Sequence, residues 1–98
     1  MRLTHEYFTH DILIYKKGNT VTMSYSSDIN RNIPTGDMGD LFTLPEEYRP
    51  PYVAVAFSGP RTDIQVRVTS DGRVNFYNYG DAITGRTSAR FTLTYVVD

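Results

Sequence analysis

Cysteine is absent from this chain of 98 residues, so neither a disulfide framework nor a thiolate metal site holds it together. Charge of one sign is lacking too. Ten Lys and Arg stand against 11 Asp and Glu, a formal net charge of -1, and that balance supplies no broad positive field for a phosphate backbone. Nucleic acid is not an expected partner. Long apolar runs are also missing: "YVAVAF" at Tyr52–Phe57 falls far short of the roughly 20 residues that span a bilayer. The opening "MRLTHEYFTH" has no apolar centre of the kind a signal peptide needs. The expectation is a soluble chain with no export signal and no membrane insertion. Ala and Leu are sparse and never recur at helical spacing, which argues against helix.

What is present points to sheet. Tyr, Phe, Val, Ile and Thr are abundant, and such side chains fit a pleated, half-buried surface. The length suits one domain that folds without staples around a modest core. Residues 1–98 are therefore read as a single β-sandwich domain, with 1–10 as an N-terminal arm or a connection to an upstream stalk.

"DILIYKK" (Asp11–Lys17) reads as a strand, and Gly18-Asn19 as a positive-φ pair closing a tight hairpin into "TVTMSYS". There Val21, Met23 and Tyr25 alternate with Thr20, Thr22, Ser24 and Ser26, the pattern of one dry and one wet face. Ser27–Asp40, rich in Asp, Asn, Gly and Pro and without period, reads as a long connection between sheets. A short edge-like strand "LFTL" ends at Pro45, which cannot donate to a ladder. Pro50-Pro51 hold an extended approach to "YVAVAF", which is apolar on both faces and reads as a central strand. After the turn "SGPR", "TDIQVRVTS" carries Ile64, Val66 and Val68 inward and Gln65, Arg67 and Thr69 outward, and Asp71-Gly72 closes a hairpin into "RVNFYNY". The loop "GDAITGRT" leads to "SARFTLTYVVD", in which Phe91, Leu93, Tyr95 and Val97 share a face. Six to seven antiparallel strands so joined make an all-β sandwich or a small, jelly-roll-like barrel.

The segment "LPEEYRPP" (Leu44–Pro51) is physically a proline-bracketed turn with solvated Glu46 and Glu47 and with Tyr48 and Arg49 at the rim. Taken in order, "GNTVTMSYS", a loop, "FTLPEEYRPPYVAVAF", "IQVRVTSDGRVNFYN" and an aromatic-rich last strand resemble C-terminal modules of tail, baseplate and fibre proteins of phages infecting Gram-positive bacteria. In that group a Gly-Asn-x-Val-Thr hairpin precedes a Leu-Pro-x-x-Tyr-Arg-Pro turn and then an Asp-Gly hairpin. The similarity spans about residues 11 to 97. Glu47 stands where the group often has glycine, and residues 1–98 hold no coiled-coil or collagen-like stalk, which leaves both a free small protein and an excised tip open. The resemblance implies a β-sandwich module of a virion, commonly a homotrimer among other tail proteins, that contacts host cell-surface polysaccharide.

Several clusters invite a chemical reading. Asp28, Asn30 and Asn32 alternate like calcium ligands, but Ile33 occupies the sharp-turn glycine's place and Gly39 that of the bidentate Glu. His5, Glu6 and His10 do not share a strand or helix face. No nucleophile elbow, zinc-protease motif or Gly-rich phosphate loop is present, and Glu46-Glu47 are sequence neighbours, not a pair across a cleft. No enzyme, metal or cofactor is expected; a hydrolase would require carboxylates or a His-carboxylate pair converging from distant strands.

Binding has a better candidate. Asn75, Tyr77 and Tyr79 fall on one strand face, with Phe76 and Asn78 on the other and Asp81 in the following loop. A ring flanked by amides and a carboxylate suits a pyranose, whose apolar face packs on the ring while its hydroxyls take the polar groups. A tyrosine ladder in a core or subunit contact is the alternative. Arg61, Arg73, Arg86 and Arg90 lie near turns or strand starts. Gathered at one end, such arginines would suit a teichoic acid, and Arg61 and Arg86 join Asn75, Tyr77, Tyr79 and Asp81 as the predicted saccharide site. The rings Tyr7, Phe8, Tyr15, Tyr48, Tyr52, Tyr77 and Tyr79 outnumber what one small interior encloses. That excess predicts a homotrimer burying one sheet face and leaving "SDINRNIPTGD" and "YGDAITGR" free for ligand. A purely structural trimerisation or capping module would share the same fold.

Overall fold

A computed structural model describes residues 1–59, 62–84 and 86–97. The alternating segments form eight strands: β1 (Arg2–Leu3), β2 (Ile12–Lys17), β3 (Thr20–Asp28), β4 (Gly36–Thr43), β5 (Ala54–Phe57), β6 (Ile64–Val68), β7 (Arg73–Asn78) and β8 (Ser88–Val96). They make two four-stranded antiparallel sheets, ordered β1-β2-β3-β8 and β4-β7-β6-β5. The count is eight, not six to seven, because Arg2–Leu3 pairs with Ile12 and Leu13. Within residues 1–10, β1 lies in a sheet and Phe8 is buried, while Met1, Arg2, Thr4, Glu6 and His10 are exposed.

The apolar sets expected for β3, β6 and the last strand are buried between the sheets. Val21, Met23 and Tyr25 of β3 face Ile64, Val66 and Val68 of β6, joined by Phe91, Leu93 and Tyr95 of β8. Phe76 of β7 is fully buried among the rings of Phe8, Phe42 and Phe91. Between β2 and β3 only Gly18 has positive φ, 60°. The turn therefore follows the type II′ pattern, with glycine at the first central position, and Asn19 needs no left-handed conformation.

Two expected boundaries move. β4 begins at Gly36, inside the stretch expected to be loop. Register shifts between Asp37 and Gly39 and between Asp40 and Phe42 break its alternation, so period 2 is illegible there. β5 is an edge strand, not a central one. Its inward residues are Ala54 and Ala56, while Val55 and Phe57 point out and are exposed. Small residues are required on the inner side because β8 lies close: the Gly59 amide donates to the Arg90 carbonyl at 3.0 Å, joining the sheets along this side.

The consecutive strands β4 to β7 form a Greek key, with three hairpin-linked strands and β4 lying beside β7. This is one Greek key against the two of a jelly roll. Residues 44–53 are its long arm. The Leu44 amide donates to the Gly72 carbonyl at 2.8 Å, Glu46–Tyr48 make a 3₁₀ turn, and the Arg49 Nε donates back to the Leu44 carbonyl at 3.0 Å. From the other sheet the Tyr95 hydroxyl donates to the Tyr48 carbonyl at 2.6 Å. "LPEEYRPP" is therefore the strap that carries the chain from one edge of its sheet to the other.

Candidate functional site

The outer face of the second sheet carries chemistry in two rows set by strand register. Phe57, Gln65, Tyr77 and Asp37 lie side by side across β5-β6-β7-β4, and Val55, Arg67, Asn75 and Asp40 form the next row. Tyr79 extends β7 beyond its last pair, held by its amide donating to the Asp63 carbonyl at 3.0 Å. The Tyr77 and Tyr79 rings stand 4.4 Å apart and tilted by 39°, and Phe57 lies 6.3 Å from Tyr79. Phe57 and Tyr79 are each 59% exposed, so this is an open aromatic platform.

The predicted site residues separate. Asn75, Tyr77 and Tyr79 do share the outer face, as their alternation requires. Asp81 does not join them through its side chain: it lines a different depression of about 210 Å³ with Asp63 and Thr84, and its carbonyl accepts from Asn78 Nδ2 at 3.1 Å. Arg86 sits at the far end of the β7–β8 connection, where its amide donates to the Ile29 carbonyl of the other sheet and its φ is 67°. Arg61 lies outside the described residues. The described arginines do not gather at one end: Arg73 pairs with Asp71 at 3.0 Å on the second sheet, while Arg90 binds Ser26 at 2.6 Å on the first.

Asn78, on the strand face opposite Tyr77, is fully buried and organises the platform's end. Its Nδ2 donates to the Asp81 and Pro34 carbonyls, at 3.1 and 3.4 Å, and its Oδ1 accepts from the Gly80 amide at 3.0 Å. The two loops expected to stand free are tied together: Ile33 and Ile83 are both buried and exchange backbone hydrogen bonds of 2.9 and 2.7 Å.

Beside the platform lies a polar depression of about 350 Å³ lined by Asp40, Arg67, Thr69, Asp71, Arg73 and Asn75. Asp71 accepts from the Thr69 hydroxyl, and that bond, with Arg73 beside it, holds its carboxyl below the usual carboxylate range. Asn75 Nδ2 donates to Asp37 Oδ1 at 3.3 Å. Gln65 and Arg67 were legible as outward residues. What the sequence did not supply was the cross-strand register placing them against Tyr77 and Asn75.

The other clusters disperse. Glu6 pairs with Arg31 at 2.6 Å, and His5 Nδ1 accepts from the Tyr7 amide. Among the described residues no group of three or more His, Cys, Asp or Glu is placed to hold a metal. His10 Nδ1 lies 2.7 Å from Ser27 Oγ near a depression of about 270 Å³, but the neighbouring Asp11 carboxylate accepts from Thr4 and does not orient His10. A triad needs that third contact.

Comparison of the sequence with protein-family models gives no match, and neither does comparison with curated proteins.

Proposed function

We propose that this chain is a non-enzymatic adhesin module of a phage tail, baseplate or fibre tip that binds host cell-surface saccharide on the outer face of its second sheet. The ordered motif resemblance supplies the virion context. The observation that carries the binding reading is the platform of exposed Phe57 and Tyr79 with half-buried Tyr77, beside Gln65 and Asn75. A pyranose packs its apolar face on such rings, and flanking amides both donate to and accept from its hydroxyls. A platform on regular strands also holds its rings without a loop having to close.

In this proposal the protein works as a homotrimer alongside other virion tail proteins. A cyclic assembly uses two different patches per chain. The strap and β8 offer one, an apolar depression lined by Pro50–Ala54, Tyr95 and Val96. Exposed Leu13 and Tyr15 on the outer face of β2 offer the other. A purely structural trimerisation or capping module is the second reading, and the exposure of Tyr52 at 83% favours it. Glycan arrays and host-cell adsorption with the assembled protein separate the two. Binding lost in Tyr79→Ala with the oligomer intact supports the adhesin; an assembled oligomer that binds no Gram-positive surface polymer leaves the structural role.

A further inference from the structure

We propose that the depression between Arg67, Asn75 and Asp40 is a hydroxyl-binding subsite, and that it selects an uncharged sugar with adjacent hydroxyls over a phosphate- or carboxylate-bearing polymer. This rests on the aromatic platform as the saccharide surface and specifies what that surface takes. Asn75 and Tyr77 are successive outward residues of β7, about 7 Å apart along the strand. A ring packed on Tyr77 therefore brings its hydroxyls to the second row. There Arg67 and Asp40 pair with Asn75 from opposite sides, which sets their Cα atoms roughly 10 Å apart at two strand spacings. That gap admits a ligand edge.

The groups facing the gap are complementary. The Arg67 side chain makes no hydrogen bond or ion pair among the described residues, so its guanidinium donors are free. Asn75 spends an amide hydrogen on Asp37 and keeps its oxygen. Asp40 makes only a long contact with Arg73, 3.8 Å. A sugar hydroxyl both accepts and donates; adjacent hydroxyls satisfy Arg67 as acceptors and Asp40 and Asn75 as donors at the same time. An ionised phosphodiester or carboxylate group cannot itself donate to Asp40. It would also meet a lining whose carboxylates, Asp40 and Asp71, balance its guanidinium groups, Arg67 and Arg73, with Asp37 accepting from Asn75 beside them, so no net positive charge draws it in. Arg73 is already partnered by Asp71. The depression, about 350 Å³, is at the small end of ligand sites, roughly 300–1,000 Å³, and suits one or two sugar units rather than a deep-seated chain.

The test uses the full chain, titrated with uncharged hexose, deoxyhexose and N-acetylhexosamine oligosaccharides and, separately, with a glycerol-phosphate polymer. Four proteins are compared, the parent, Arg67→Ala, Asp40→Asn and Tyr79→Ala, each with its folding checked by thermal melting. Expected is saturable binding of at least one uncharged oligosaccharide, with affinity changing less than about twofold as salt is raised, since no ion pair is screened. Arg67→Ala and Asp40→Asn each weaken it roughly fivefold or more, the loss of about one net hydrogen bond. Preference for the phosphate polymer, with affinity falling as salt rises, overturns the subsite while leaving the platform standing. So does binding that Tyr79→Ala abolishes but Arg67→Ala and Asp40→Asn leave unchanged. Binding of neither class overturns both.

Discussion

Arg49 closes over Gly72: a Cβ on that glycine would stand 2.6 Å from the Arg49 Nε and 2.8 Å from the Leu44 carbonyl oxygen. Gly72 also has φ of 88°, a conformation that costs a side chain energy even in open space. The Asp-Gly hairpin and the Leu-Pro-Glu-Glu-Tyr-Arg strap are thus one interlocked unit. Gly72→Ala is expected to destabilise the fold by about 2 kcal/mol, read as a lowered denaturant midpoint. Gly18→Ala, which has open space around it, should cost less because only the φ penalty applies. Equal losses at the two sites would show that the strap does not press on the turn.

Tyr95 pins the same strap from the first sheet. Tyr95→Phe leaves the Tyr48 carbonyl without its partner and is expected to cost about 1–2 kcal/mol, measured by chemical denaturation.

Burial also pushes the Tyr95 phenol from 10.0 up to about 12. The folded chain therefore holds this proton more tightly than the unfolded chain. The resulting stabilisation is fully present below pH 10.0 and is lost as pH rises toward about 12. Denaturation midpoints across that window should fall more steeply for the parent than for Tyr95→Phe. Parallel slopes would contradict the burial argument.

Asn78 holds the end of the platform through three hydrogen bonds from a fully buried amide. Asn78→Ala strands those backbone groups and is expected to lower stability by about 2–3 kcal/mol. Hydrogen exchange should show the Gly80 amide losing protection beyond what the global change explains.

Tyr52 is exposed in the single chain, so Tyr52→Asp should change monomer stability by no more than about 0.5 kcal/mol. In the proposed trimer it would place a charge in an apolar contact and should shift the assembly to monomer by light scattering. A monomer both before and after substitution would exclude the trimer.

Much of this fold was legible because alternation is strict where a strand has one dry face. β3, β6, β7 and β8 are legible for that reason: Gln65 and Arg67 show as outward, and Asn75 and Tyr77 show as sharing a face, though not which one. Legibility ended where alternation broke. The shifted register of β4 hid Asp37 and Asp40 inside an apparent loop. In β5 the all-apolar run disguised an edge, since inward alanines and outward Val55 and Phe57 look equally hydrophobic in sequence. Asp81 and Arg86 seemed close to Tyr79 along the chain, but the intervening connection crosses from one sheet to the other. Sequence neighbours on a crossing loop are not neighbours in space.

The central claim, that saccharide binds on the outer face of the second sheet, is tested most directly by following backbone amide shifts of isotope-labelled protein during titration with host-wall oligosaccharides. Saturable shifts clustered at Phe57, Gln65, Arg67, Asn75, Tyr77 and Tyr79 are predicted. Shifts confined to the outer face of the first sheet, around Tyr15, Thr22 and Thr94, or no saturable shift with any oligosaccharide, would contradict it.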